Sequence, residues 1–444
     1  MRRAVLPLLL IAVGFSFLLL VRRAPEDVDV PPRPPARAAA PDVDRPPARR
    51  TSPPPRLSPR TAFERVVDAL RVKDRERAKE ALEDLRLAFL PDPVPDAENA
   101  ALLYKVAFAR LEELSEEEAD LLGKPLEELT AEERERRRGI LAGRPEILDF
   151  LRRAAELPRS DFGVKYEDGF MAELPHIAPM ILAAKLLRTE TELGGNPADA
   201  RAAIRLSEAV ADEPIFVSQL VRGVCHGIAA EAMERAFDGE IPEDLLGALP
   251  STNRLREGME RSLLGEIYAA TKLMLDGDAS ALAALAPGSL KLRSLDDPLA
   301  ADELAHYGES LREISQLMGR PYWESRDRLK RLEAEPVPEW AQLTHLARPS
   351  IVRAAVQQAT AEARIGTSRA AAALRRYRDA RGDYPQSLES IRDLLPEPPI
   401  DPFTGRPYLY RREGAGFVIW SVGEDLLDGG GVSVETDVRF RASK

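Results

Sequence analysis

From Ala4 to Val21 the chain runs for 18 residues without a charge, with Arg2 and Arg3 before the run and Arg22 and Arg23 after it. As a helix this stretch is about 27 Å long, close to the roughly 30 Å hydrocarbon core of a bilayer, with the arginines snorkelling to the two surfaces. A cleaved secretory signal would end in small residues, where this chain has Arg22 and Arg23, and no cysteine follows for lipid attachment. The expectation is therefore an uncleaved, single-pass anchor over residues 1–23 in the inner (cytoplasmic) membrane, with the body outside the cytoplasm.

Residues 24–60 are rich in Pro, Ala and Arg, as in Pro31-Pro32-Arg33-Pro34-Pro35 and Pro53-Pro54-Pro55. Such a stretch buries no core and favours polyproline II, so it reads as a tether reaching on the order of 100 Å. The remaining chain is long enough for two or three domains. Its net charge of -11 repels phosphate backbones, which argues against nucleic acid as a partner and leaves protein partners and the membrane. Cys225 is the only cysteine, so no disulfide forms within the chain.

From 61 to 350 apolar residues recur at helical spacing. Thr61 and Glu64 read as a capping box ahead of Phe63, Val66, Val67 and Leu70. Further helical segments are expected over Asn99–Leu114, Glu146–Leu157, Phe170–Leu187, Asn196–Val210, Pro214–Phe237, Thr252–Leu275 and Pro298–Met318, joined by Gly, Pro and Asp turns. No fixed repeat period is evident. The charged run Glu132–Arg138 reads as a solvated helix face, and Cys225 as a small buried residue on an apolar stripe. The fold class expected is mainly α: an irregular antiparallel helical bundle or solenoid-like stack, with a small C-terminal α+β module over 351–444.

Recognisable catalytic motifs are few. The four histidines lie outside any HExxH motif, and no phosphate-binding or nucleophile-elbow sequence occurs. One stretch, residues 161–176, gathers Tyr166, Glu167, Asp168, Glu173 and His176 around two glycines, with Glu173 and His176 three apart on one helical face. These side chains could hold a metal or act as acid and base, which supplies an alternative reading as a hydrolase-like envelope enzyme.

The C-terminal part carries Gly382-Asp383-Tyr384-Pro385 after a long helix from Ile351 to about Ala380, then Asp401-Pro402-Phe403-Thr404-Gly405-Arg406-Pro407-Tyr408-Leu409-Tyr410, then Gly416-Phe417-Val418-Ile419-Trp420-Ser421-Val422-Gly423 and Asp425. The runs 408–411 and 417–421 read as a β-hairpin. In this order the motifs resemble the C-terminal part of type II secretion major pseudopilins, with Thr404 as one extra residue. The resemblance implies a link to secretion or pilus-like systems and a calcium-binding loop after the last strand, with Asp425 as ligand. Asp428, Glu435 and Asp437 are added as oxygen donors by their chemistry. Leu426 and Leu427 depart from the family pattern, and so does the N-terminus: Gly14-Phe15 lies inside the apolar run, and Leu19 stands where the processed family has Glu.

The body resembles a class of uncharacterised bacterial envelope proteins of planctomycete type. The likeness rests on N-A-A-x-L-Y (Asn99–Tyr104), G-V-x-Y-x-x-G-F (Gly163–Phe170) and E-L-P-H (Glu173–His176). Taken together, the expectation is a membrane-tethered, non-catalytic interaction or assembly protein of the bacterial envelope.

Overall fold

The structure is a computed structural model that describes residues 57–193, 198–236, 245–276, 297–395, 398–432 and 437–443. The expected anchor, the tether up to residue 56, the start of the 196–210 helix and Glu435 lie outside the described residues. Among the described residues no helix is long and apolar enough to cross a membrane. The described chain is mainly helical and ends in one small antiparallel sheet.

Helix α1 (Pro59–Arg71) starts earlier than expected. Ser58, not Thr61, is its N-cap: the Ser58 hydroxyl accepts the Thr61 N–H at 3.1 Å, and Pro59 sits at the first helical position, where its fixed φ suits the helix. Glu64 pairs with Arg60 instead of closing a capping box. Asp74 caps α2 (Arg75–Phe89), which folds back on α1. Asn99 caps α3 (Ala100–Glu112), and capping boxes at Ser115 and Thr130 open α4 (Glu116–Gly123) and α5 (Ala131–Ala142). Helix α6 (Glu146–Ala154) packs on α3.

The middle of the chain forms a layer of three helices, α7 (Ile177–Glu192), α8 (Ala198–Ser207) and α9 (Phe216–Ala236), each touching the other two. After the short α10 (Leu245–Ala248) comes α11 (Thr252–Asp276), which packs on α2 and α12 (Ala300–Met318). Helix α13 (Tyr322–Ala334) leads to α14 (Gln342–Arg381), 40 residues long. The long helix thus begins at Gln342, so the expected boundary at 350/351 falls inside it. Pro349 lies within the helix, whose first turn is held by the Glu303 carboxylate, accepting the Leu343 N–H at 3.1 Å. At the other end Gly382, with φ 86°, supplies the left-handed C-cap that only glycine adopts without strain.

Strands β1 (Leu409–Glu413), β2 (Gly416–Ser421) and β3 (Val438–Ala442) form a meander with β2 in the centre. Leu409 faces Trp420 across the first pair, and Phe417 faces Ala442 across the second. All six residues of β2 are buried, because α14 covers the sheet. The expected hairpin is present; β3 was not foreseen, although Val438, Phe440 and Ala442 alternate with arginines at a strand's period of two. One apolar core runs through both the helices and the sheet.

Burying so many charged residues requires partners. Glu208 accepts from Arg222 Nε at 2.8 Å and Nη2 at 2.9 Å, from His226 Nε2 at 2.7 Å and from Arg254 Nε at 3.1 Å, tying α9 and α11 together. Burial pushes its carboxyl upward, but Arg222 and His226 outweigh that and hold it well below the usual carboxylate range. Burial lowers the pKa of His226 below its ordinary value, against the upward pull of Glu208. The solvated-face reading of Glu132–Arg138 fails at one residue: Arg137 is only 1% exposed and pairs with Glu190 at 2.9 Å. The other expectation in this region stands, since Cys225 is fully buried and its thiol is pushed up to about 12.

Glu266 on α11 accepts the Phe216 N–H at the start of α9, yet burial outweighs that bond and raises its carboxyl to about 7. A carboxyl raised from 4.5 holds its proton longer in the folded state than in the unfolded one. Its contribution is therefore complete below about pH 4.5 and is lost as pH rises through about 7. Glu266→Gln should flatten this decline, so that urea unfolding at pH 8 shows a gain of about 1–3 kcal/mol over the parent and none at pH 4.

Candidate functional site

The residues singled out between 161 and 176 separate in the fold. Glu167, Asp168 and Glu173 are exposed, Tyr166 is half-buried, and His176 is buried. Glu173 and His176 do not share a helix face, because α7 begins only at Ile177 and Pro175–His176 form a turn before it. His176 instead meets Glu213, with Nε2 3.0 Å from Oε1 and 3.2 Å from Oε2. The Ser218 hydroxyl donates to Glu213 Oε2 at 2.6 Å. Sequence reasoning missed both partners, since they lie more than 35 positions downstream and carry no local pattern.

This order of contacts decides the chemistry. In a Ser-His-Asp relay the serine passes its proton to the histidine, whereas here the carboxylate stands between Ser218 and His176. Exposures of 0%, 5% and 3% for Ser218, Glu213 and His176 also leave no approach for a substrate. The imidazole lies flat on Phe162, 4.2 Å between centroids and 7° between planes. Phe162 stacks in turn on Tyr104 and Phe108. Tyr166 is pushed above the ordinary tyrosine range by burial and then by Glu213, Asp161 and Asp212.

The three body motifs therefore meet at one place. Asn99 Oδ1 caps α3 through Ala101 N–H at 3.1 Å and accepts the Asp161 N–H at 2.9 Å, while Asn99 Nδ2 donates to the Asp161 carbonyl at 3.0 Å. Gly163, with φ 68°, then turns the chain toward Tyr166. In this packing the motifs act as a joint between α3, α7 and α9.

In the C-terminal module, Asp401 is a buried hub. Oδ1 accepts from Phe403 N at 2.8 Å and Ser421 Oγ at 2.8 Å, and Oδ2 accepts from Val422 N at 3.2 Å. Burial raises its carboxyl, and these donors pull it back. The carboxylates expected to bind calcium face the loop's own donors. Asp425 accepts from Leu427 N at 3.0 Å, and Asp428 Oδ1 from Gly430 N at 2.8 Å and Trp420 Nε1 at 3.0 Å. Buried Asp437 accepts from Gly429 N at 3.3 Å and Gly431 N at 3.0 Å. Among the described residues no group of three or more His, Cys, Asp or Glu side chains is placed to hold a metal ion.

A concavity of about 370 Å³ opens where the module meets the body. The start of α11, the start of α13 and the middle of α14 form one side, and Leu395 with Pro398, Pro399, Ile400, Pro402 and Tyr408 forms the other. Arg256 lies on the inner wall and is clamped by Glu362, with Nε to Oε1 at 3.0 Å and Nη2 to Oε2 at 2.5 Å. Arg369 stands near it, donating to the Leu249 carbonyl at 3.3 Å. The outer wall is apolar: Trp323 is 42% exposed and Ile400 38% exposed. The Trp323 N–H is held by the Pro402 carbonyl at 2.9 Å, and its ring lies so close to Gly405 (φ 70°) that a Cβ there would sit 2.6 Å from it. Gly366 likewise yields its space to the Tyr408 hydroxyl. The only sequence signal for this cleft was the Asp401–Tyr408 motif, which shapes one wall.

The hub at Asp401 carries a direct expectation. Asp401→Ala would leave three buried donors without their acceptor and lower the urea-unfolding free energy by about 2–4 kcal/mol, whereas exposed Asp425→Ala should cost less than about 1 kcal/mol. The chain matches no protein-family model, no curated protein and no solved structure.

Proposed function

We infer that this chain is a non-catalytic binding protein of the bacterial envelope, tethered to the membrane by its N-terminal apolar run and receiving a protein partner at the cleft beside Trp323. The observation that carries the reading is the character of that cleft: an open, mostly apolar wall facing a fixed ion pair, in a volume within the range of ligand sites. The groups at hand suit binding better than bond making. The histidine nearest to acid–base geometry is sealed beneath Phe162, and at the cleft Arg256 and Glu362 neutralise each other. An exposed indole held rigid by its backbone and by Gly405 costs little entropy to cover, which is why such side chains anchor protein contacts. The tether then sets how far from the bilayer the partner is met.

Two measurements test the two halves of this reading. The full chain should stay with membrane vesicles through a carbonate wash, and a chain lacking residues 1–23 should be released; recovery of the intact chain in the wash would remove the anchor. With a photo-reactive benzoylphenylalanine at Ile400, irradiated envelopes should give a discrete adduct that the same group at exposed Arg138 does not. Equal labelling at the two positions, or none at either, would remove the cleft as the contact site.

A further inference from the structure

We propose that the cleft beside Trp323 is a polyproline groove, filled in the unpartnered protein by this chain's own segment 31–35, so that a partner binds by displacing the tether. The proposal rests on the reading of the cleft as a contact surface and says what covers that surface first. The walls narrow the choice of occupant. One face of the Trp323 ring rests on Gly405 while much of the ring stays exposed, and Pro321, Pro398, Pro399 and Pro402 line the space beside it. Those four prolines offer no N–H, and the Pro402 carbonyl already accepts from the Trp323 N–H. An added β-strand would bury its own backbone N–H and C=O groups against a wall with few partners for them, at a cost for each. A proline-rich segment has fewer N–H groups to strip of water, and its fixed φ angles leave little freedom to lose on docking. Aromatic-lined grooves take P-x-x-P segments for these reasons.

The chain carries such a segment and enters the body close to the cleft. Between residues 24 and 56 the spacing P-x-x-P occurs in Pro31-Pro32-Arg33-Pro34-Pro35, in two overlapping registers, and nowhere else. Helix α1 runs antiparallel to α12: Arg71 Nε lies 3.9 Å from Asp302 at one end, and Arg312 Nη1 lies 3.9 Å from Glu64 toward the other. Helix α13 folds back along that second half of α12, with Arg328 Nε donating to Glu313 at 2.6 Å. The tether therefore joins the body toward the end of α12 that leads through Gly319 to Trp323. Along the axis, Met318 is only about 9 Å beyond Arg312. Residues 36–56 link the segment to the body, and as a coil this link spans about 25 Å. It holds the segment near its groove at an effective concentration on the order of millimolar, so a weak intrinsic affinity is enough to fill the cleft.

Docking also sets the height of the body. With segment 31–35 in the cleft, residues 24–30 alone bridge to the expected anchor, about 22 Å at polyproline spacing, against on the order of 100 Å for the whole tether. A partner that takes the cleft thus releases the body from the bilayer.

The test compares the full chain in lipid nanodiscs with a variant carrying Pro31→Ser, Pro32→Ser, Pro34→Ser and Pro35→Ser. Hydroxyl-radical labelling read by mass spectrometry should oxidise Trp323 at least threefold more in the variant, with Trp340, which packs on His306, as the unchanged reference. The substitutions lie outside the described body, and the reference tryptophan reports any loss of its fold. With benzoylphenylalanine at Ile400 in an equal mixture of nitrogen-15-labelled and unlabelled chains, the adduct should join position 400 to residues 31–35 of the same chain. Equal Trp323 labelling in the two chains, or an adduct that maps elsewhere, overturns the proposal. An adduct joining labelled to unlabelled chains also overturns it, by making a second copy the occupant. Equal Trp323 labelling beside a discrete partner adduct in envelopes sinks this proposal and leaves the cleft as a contact surface. A same-chain adduct at 31–35 with no partner adduct in envelopes upholds the groove and removes the partner.

Discussion

Everything described here is arranged around the burial of α14. A helix of 40 residues has to lose water on several sides, and its buried positions are largely alanine, from Ala354 and Ala355 through Ala370–Ala373. Small side chains let neighbours approach closely, so α9, α11, α12, α13 and the sheet all rest on it. Gly366 on α14 meets the Tyr408 hydroxyl at a separation that a Cβ would forbid. Because one rigid rod contacts both the helical layer and the sheet, the space between them has a fixed shape, and the cleft is that space.

The second constraint is electrostatic. Helices this rich in arginine and glutamate cannot cover a large core without drawing charges inward, and several of the buried charges meet an opposite one, while others, such as Asp401 and Glu303, meet neutral donors. Glu208 answers Arg222, Glu190 answers Arg137, and Glu362 answers Arg256. Such pairs add little net stability, since desolvation offsets much of the attraction, but removing one partner costs several kcal/mol, on the order of 3–5. They therefore select one packing of the helices over its alternatives. His176 and Glu213 belong to the same pattern, which explains how a histidine beside acidic residues in sequence becomes a core residue in space.

Residues that form motifs along the chain have a common structural meaning. Asn99, Gly163, Phe162 and His176 form a joint, while Gly382, Asp401, Gly405 and Ser421 set the turns and hydrogen bonds of the C-terminal module. Tyr384 packs edge-on against Phe417 at 4.8 Å, and the Tyr410 hydroxyl donates to the Pro385 carbonyl at 2.8 Å. These positions need particular side chains because backbone groups there would otherwise be buried without partners. The cleft lies beside them, with Pro402 and Tyr408 of the C-terminal motif on one wall and residues outside any motif on the other.

The sequence alone determined the mainly helical class, the helix start at Asn99, the burial of Cys225 and the hairpin of the C-terminal module. Each of these follows from interactions within a few residues: periodicity, a capping side chain, a turn glycine. It left open which way His176 would face, that Arg137 would turn inward from a charged run, that Val438–Ala442 would become a third strand, and that Arg256 and Glu362 would meet across 106 positions. Those outcomes depend on which helices pack together and at what separation, and that is decided by how the whole apolar surface is buried at once. A side chain's neighbours along the chain carry its conformational preference, but only the assembled core decides whether its charge meets water or a partner.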